Sequence, residues 1–95
     1  MRKYELILIV QPDLEDEVTQ TVIDRVKTMI TDNGGEILKT DVWGSKQLAY
    51  EIQDFRQGFY VYMDVALEPA FGNELKQNLR YVEPIIRYML TRKDE

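Results

Sequence analysis

The stretch from Tyr4 to Val10 constrains the fold more than any other part of the sequence, because it is apolar on both faces. It reads Y-E-L-I-L-I-V, which places Leu6 and Leu8 on one face of a strand. Ile7 and Ile9 then lie on the opposite face. A strand of this kind is usually central in its sheet and is covered on both sides. Both apolar faces of this strand therefore have to be buried, either by the rest of the chain or by a partner.

Two segments predict helices that would cover one of these faces. The first follows Pro12, with Asp13 as a plausible N-cap, and ends at Asn33-Gly34-Gly35, since glycine accepts the left-handed conformation of a helix C-terminus. The second begins at Glu68-Pro69 and ends before Pro84. Both carry an apolar stripe at helical spacing. The stripes are Val18, Val22, Val26, Met29 and Ile30 in the first helix, and Phe71, Leu75, Leu79 and Val82 in the second.

Three further strands are predicted. A long second strand spans Ile37–Ile52 and is expected to bend or bulge at Gly44. A third strand spans Gly58–Leu67, and the short polar segment between the two predicts a hairpin. The fourth spans Ile85–Thr91 and is followed by a polar tail over Arg92–Glu95.

The order β-α-β-β-α-β predicts a single ferredoxin-like domain over residues 1–95. In this split β-α-β sandwich (fold class α+β) two helices pack on one face of a four-stranded antiparallel sheet. With Leu6 and Leu8 toward the helices, the better inner rows are Val61, Met63, Val65 and Leu67 in the third strand, and Ile86, Tyr88 and Leu90 in the fourth. The outer residues are then Tyr60, Tyr62 and Asp64 in the third strand, and Ile85, Arg87 and Met89 in the fourth.

The outer face is too apolar for contact with water alone, and exposed patches of this kind usually mark a partner site. We therefore expect another protein to cover it. The predicted partner face consists of Ile7, Ile9, Tyr60, Tyr62 and Met89.

Charge is distributed unevenly along the chain. The formal net charge is −5, which argues against a free-standing nucleic-acid binder. Residues 13–36 hold seven acidic and two basic side chains, whereas the other residues hold ten of each sign. The first helix therefore carries the whole excess, and other surfaces are free to be locally basic.

Composition excludes most catalytic chemistry. The chain has no histidine and no cysteine, and its only serine, Ser45, has no histidine to activate it. Neither a phosphate-binding glycine loop nor a dinucleotide fingerprint occurs. No apolar run approaches the ~20 residues of a membrane helix, and the N-terminus has no signal-peptide character. We expect a soluble cytoplasmic protein with no enzymatic activity, cofactor, metal site, membrane contact or small-molecule substrate.

The same element order occurs in the RNA-recognition motif, whose third strand follows a glycine and aromatic pattern. Gly58 and Phe59 fit this pattern, but Tyr60 stands where a small residue belongs and Val61 replaces an aromatic one. Stacking of single-stranded RNA bases on the sheet is therefore an alternative function. A protein-interaction module that does not bind RNA is another.

The most specific motif lies at the start of the hairpin. Residues 44–52 read G-S-K-Q-L-A-Y-E-I and resemble the signature G-x-K/R-x-L-A-Y-x-I of the small-subunit ribosomal protein six family of bacteria and organelles. Similar features are M-R-K-Y-E at the start, V-Q-P-D-L before the first helix, the glycine pair that ends it, and Q-G-F-Y on the third strand.

The resemblance implies a ferredoxin-like fold and a structural, non-enzymatic role in the ribosome. It further implies binding to the central domain of small-subunit ribosomal RNA during platform assembly, as a heterodimer with small-subunit ribosomal protein eighteen. A basic partner would explain how an acidic chain associates with RNA, because the partner supplies much of the positive field.

Basic residues that flank the strands and the hairpin are expected to contact the RNA phosphates. Lys46 and Arg56 lie near the two ends of the hairpin loop, and Arg87 lies on the fourth strand. The predicted RNA-binding set is Arg2, Lys3, Lys46, Arg56, Arg87 and Arg92.

Overall fold

The computed structural model describes residues 1–93, and its elements follow the predicted order. They are β1 (Arg2–Val10), α1 (Asp16–Asp32), β2 (Glu36–Ile52), β3 (Phe55–Leu67), α2 (Pro69–Leu79) and β4 (Ile85–Arg92). The strands form one antiparallel sheet in the order β2-β3-β1-β4. Both helices pack on one face, so the predicted ferredoxin-like sandwich is confirmed. Of the predicted tail 92–95, Arg92 belongs to β4 and the last two residues lie outside the described residues.

The main core lies between the sheet and the helices. Alternate residues of the two central strands face this core and are completely buried, as their period of two predicts. They are Leu6, Leu8 and Val10 of β1 and Val61, Met63, Val65 and Leu67 of β3. The helices bury Val26, Ile30, Leu75 and Leu79 against them. The side of the sheet that faces away from the helices is called the outer face below.

The start of α1 differs from the prediction. Glu15 occupies the N-cap, and Asp13 lies in the preceding turn with a φ of 64°. Aspartate tolerates the left-handed region better than most residues, so it suits a turn as well as a cap. This turn lets Leu14 pack against the main core before the helix begins. The prediction of Asp13 as the N-cap was therefore wrong.

The apolar stripe of α1 is also rotated from the predicted one. Thr19 and Ile23 are buried, whereas Val18 is 41% exposed. Residues four apart advance by slightly more than one turn, so a stripe built only on steps of four drifts around the helix. The C-terminus is as predicted: Gly34 has a φ of 82°, and the N–H of Gly35 donates to the carbonyl of Ile30, as in a Schellman motif.

A β-bulge reverses the faces that the sequence predicts for the first two residues of β4. The register of β1 against β4 shifts between Ile9 and Val10, beside the start of β4. Ile85 consequently packs in the main core, and Ile86 packs on the outer face. Their predicted facing was wrong, because a bulge adds one residue and reverses the alternation. Beyond the bulge the predicted alternation holds.

The hairpin of β2 and β3 is tighter than predicted. Its turn consists of Gln53 and Asp54 alone, with φ values of 50° and 67°. Two-residue hairpin turns with two positive φ angles match the twist of the flanking strands. Gly44 has a φ of 83° and lies at a register shift of β2, as the sequence predicted.

Near its turn the hairpin leaves regular pairing and folds over the outer face. Between Gln47 and Ile52, β2 takes five steps while its partner β3 takes two, so β2 contains three extra residues there. We call residues 47–56 the hairpin arm. Leu48 of the arm packs with Ile9 and Ile86 in a second, smaller core.

Leu75→Ala should destabilise the protein by about 2–5 kcal/mol, because Leu75 is completely buried in the main core and its removal leaves a cavity. Tyr62→Ala should cost less, since Tyr62 lies on the outer face and is only half-buried. Equilibrium denaturation of both variants measures the difference. The opposite order of stabilities would mean that the outer face, and not the helix-covered face, is the core.

Candidate macromolecular interface

An aromatic cluster of Trp43, Tyr60 and Tyr62 lies on the outer face, across β2 and β3. The Trp43 ring stacks on Tyr62 with 5.4 Å between centroids and 9° between planes, and on Tyr60 with 6.4 Å and 19°. Lys46 Nζ lies 4.7 Å from the centroid of the Trp43 ring, at cation–π distance. The ring faces therefore already contact one another and an ammonium group. This arrangement weighs against flat stacking of RNA bases, which needs free ring faces.

An acidic corner lies at the end of the outer face remote from the arm. The Tyr62 hydroxyl donates to Asp64 Oδ1 at 2.6 Å, and Lys93 Nζ lies 3.5 Å from the same oxygen. The hydrogen bond raises the pKa of Tyr62 well above its ordinary value and lowers the pKa of Asp64. Glu5 is the cross-strand neighbour of Asp64. Asp64 is therefore charged at neutral pH, and Lys93 compensates part of its charge.

The arm end of the outer face carries the opposite charge. Arg87 Nη1 donates to the Tyr50 hydroxyl at 2.5 Å. Arg56 Nε lies 3.1 Å from Glu51 Oε1 in an exposed ion pair. The charge of Arg56 is thus compensated by a carboxylate, whereas Arg87 is held by a neutral hydroxyl.

A small notch lies between the arm and β4. Its volume is about 150 Å³, and its lining is apolar apart from Arg87 and the Tyr50 and Tyr60 rings. Leu48 and Ile9 form part of this lining, so the notch is continuous with the smaller core. The Arg87–Tyr50 hydrogen bond therefore joins β4 to the arm beside an apolar recess.

The structure divides the predicted RNA-binding set between two ends of the sheet. Lys46, Arg56 and Arg87 lie at the arm end. Arg2, Lys3 and Arg92 lie at the end where β1 begins and β4 finishes, near the acidic corner. The six cations therefore do not form one patch, and the arm end gathers three of them.

Four of the five predicted partner-face residues are accessible on the outer face. Ile7 pairs with Tyr62 on β3 and with Met89 on β4, so that one apolar row crosses three strands. Tyr60 lies beside this row and is half-buried. Ile9 is different: only 3% of it is exposed, because Leu48 of the arm covers it. The expectation that Ile9 lies on bare surface was wrong.

The predicted partner face leaves out two contributors to this surface. The sequence favours a binding role for the Trp43 ring, but the register shift at Gly44 hides which face it takes. Tyr50 was treated as part of a motif without a contact, since its partner Arg87 lies 37 residues away. The sequence feature that could have identified Trp43 and Tyr50 is the alternation of aromatic and polar residues along β2.

Other kinds of site find little support among the described residues. No group of three or more carboxylates there is arranged to hold a metal ion. No helix within residues 1–93 is long and apolar enough to cross a membrane.

Comparisons with known proteins agree across the whole chain. The family model of ribosomal protein S6 matches residues 3–92. The small ribosomal subunit protein bS6 of Moorella thermoacetica is 40% identical over 95 residues, covering 100% of this chain and 97% of the relative. The bS6 protein of Shouchella clausii is 44% identical, covering 100% and 99%. The crystal structure of 30S ribosomal protein S6 from Thermotoga maritima has a TM-score of 0.91 at 30% identity, covering 97% of this chain and 87% of the other.

These matches agree with the fold and with the motif at the start of the arm. The chain belongs to the ribosomal protein S6 family and is a structural constituent of the small subunit of the cytoplasmic ribosome.

Proposed function

We propose that the outer face holds small-subunit ribosomal protein eighteen, and that the arm end contacts the central domain of small-subunit ribosomal RNA during platform assembly. The observation that carries the proposal is the apolar row from Met89 through Ile7 to Tyr62, on the sheet face opposite α1 and α2. The role is structural and involves no enzymatic step. The identity of both partners rests on the family resemblance.

The chemistry of the outer face suits a protein better than RNA. Its aromatic cluster and apolar row gain roughly 25 cal/mol for each Å² of apolar area that a partner covers. The acidic corner offers the carboxylates of Asp64 and Glu5 to basic side chains of the partner, beside the ion pair that Asp64 makes with Lys93. A basic protein that docks across the row would meet carboxylates at one end and lie beside cations at the other.

The arm end suits the RNA backbone. Lys46 is exposed above the aromatic cluster, and Arg87 is exposed beside the notch. Both cations lie on the outer face, so they adjoin the proposed protein interface. Phosphate contacts of this kind position a protein on RNA without reading bases.

The long-range electrostatics require the two partners to act together. The net charge of −5 comes from the segment that contains α1, on the helix side of the sheet. Three cations at the arm end release few counterions by themselves. The basic partner therefore contributes positive charge that this chain lacks.

RNA binding should consequently depend on the partner protein. We expect titrations of central-domain RNA at several salt concentrations to show much tighter binding by the heterodimer than by this chain alone. The salt slope of the heterodimer should also be steeper, because more phosphates are neutralised.

Sub-micromolar binding by this chain alone, unaffected by the partner, would contradict the heterodimer mechanism. Such binding would favour base stacking instead, and Tyr60→Ala and Tyr62→Ala would then have to abolish it.

Lys46→Ala should weaken RNA binding by the heterodimer and reduce the salt slope by roughly one unit, because one phosphate contact is lost. Its effect on unfolding free energy should stay within about 1 kcal/mol, the scale of an exposed cation–π contact. Lys76→Ala is the matched control, since Lys76 lies exposed on α2. Equal RNA affinities of the two variants would remove Lys46 from the interface.

A further inference from the structure

Tyr50 has a position that packing alone does not explain. The residue is 63% exposed, yet its hydroxyl accepts a hydrogen bond from Arg87 Nη1 at 2.5 Å. The contact joins the hairpin arm to β4 across 37 residues of chain. Tyr50 is therefore not a core residue. Its hydroxyl instead fixes the orientation of the Arg87 guanidinium.

The backbone around Tyr50 is held in place from both sides. Leu48, two residues before it, is only 8% exposed and packs in the smaller core with Ile9. Gln53, three residues after it, donates from Nε2 to the carbonyl of Ile86 at 3.4 Å. The segment that carries Tyr50 is thus anchored to β4 and β1, although it lies outside the regular β2–β3 pairing.

Gly58 makes this anchoring possible. It is buried, and a Cβ atom on it would overlap the side chain of Ile9 and touch Leu48. Ile9 can pack against the backbone of β3, where Leu48 covers it, because no side chain stands at position 58. The hydroxyl of Tyr50 consequently has a defined position relative to Arg87.

The orienting group is neutral, and this distinguishes Arg87 from the other arginine of the arm end. Arg56 lies 3.1 Å from the Glu51 carboxylate, which compensates its charge. The Tyr50 hydroxyl accepts one N–H of Arg87 and leaves the positive charge and the other N–H groups available. The Arg87 guanidinium is therefore held in one orientation while its positive charge stays uncompensated by Tyr50. Both properties favour a charge-assisted hydrogen bond to a phosphate.

We propose that Tyr50 is a positioning residue, which holds the Arg87 guanidinium in a conformation ready to bind an RNA phosphate. The proposal rests on the RNA contact of Arg87 in the proposed function. An arginine that is ordered before binding loses less conformational freedom when it binds. Tyr50 thus acts on affinity through Arg87 without touching the RNA.

The test is a double-mutant cycle with Tyr50→Phe, Arg87→Gln and the double variant, each in complex with protein eighteen and titrated with central-domain RNA. Tyr50→Phe keeps the ring that lines the notch and removes only the hydroxyl. We expect it to weaken binding by about two- to tenfold, the scale of ordering one flexible side chain, with an unchanged salt slope. Arg87→Gln should lower the slope by roughly one unit. The double variant should bind no more weakly than Arg87→Gln alone.

Tyr81→Phe is the matched control, because Tyr81 is 78% exposed after α2 and should leave binding unchanged. Additive effects in the cycle would overturn the proposal, since Tyr50 would then act independently of Arg87. Unchanged affinity in Tyr50→Phe with a weakened Arg87→Gln would overturn the positioning role and leave the RNA contact standing. Unchanged affinity in Arg87→Gln would overturn the RNA contact itself, and the positioning role with it.

Discussion

The requirement to cover β1 on both faces governs the whole structure. The helices cover the face that carries Leu6 and Leu8, and these two leucines are completely buried. The opposite face is covered only in part: Leu48 of the hairpin arm buries Ile9, and Ile7 remains partly exposed in the apolar row. The chain therefore covers the helix side of β1 completely and the outer face only in part. The uncovered part is the surface that we assign to a protein partner.

The hairpin arm links this packing to function. Lys46, Leu48 and Tyr50 alternate with residues of the other face, so that all three are directed to the outer side of the sheet. Leu48 fixes the arm in the smaller core, Lys46 lies over the Trp43 ring, and Tyr50 holds Arg87. Within the motif that marks the family, these three residues thus supply one anchor, one cation and one hydroxyl that is hydrogen-bonded to Arg87.

Periodicity predicted much of the fold. The alternation in β1 and β3 identified their inner rows, and the glycine pair after α1 identified its end. Irregular strand pairing caused the errors at Ile85, Ile86 and Ile9. The shift beside Val10 reversed Ile85 and Ile86, and the three extra residues of β2 placed Leu48 over Ile9. A bulge reverses the alternation on one side of it relative to the other, but it has no consistent composition, so local patterns do not reveal it.

The excess negative charge lies in the segment with α1, on the helix side of the sheet, whereas the uncovered apolar row lies on the outer face. The central claim is that assembly covers this outer face. Hydroxyl-radical footprinting of the free protein and of assembled small subunits tests it most directly, because the method reports side-chain accessibility. Met89 and Trp43 are 36% and 41% exposed in the free chain, so their loss of reactivity is measurable. We expect protection of both upon assembly and continued reactivity of Tyr81, which follows α2. Protection of Tyr81 with unchanged reactivity of Met89 and Trp43 would contradict it.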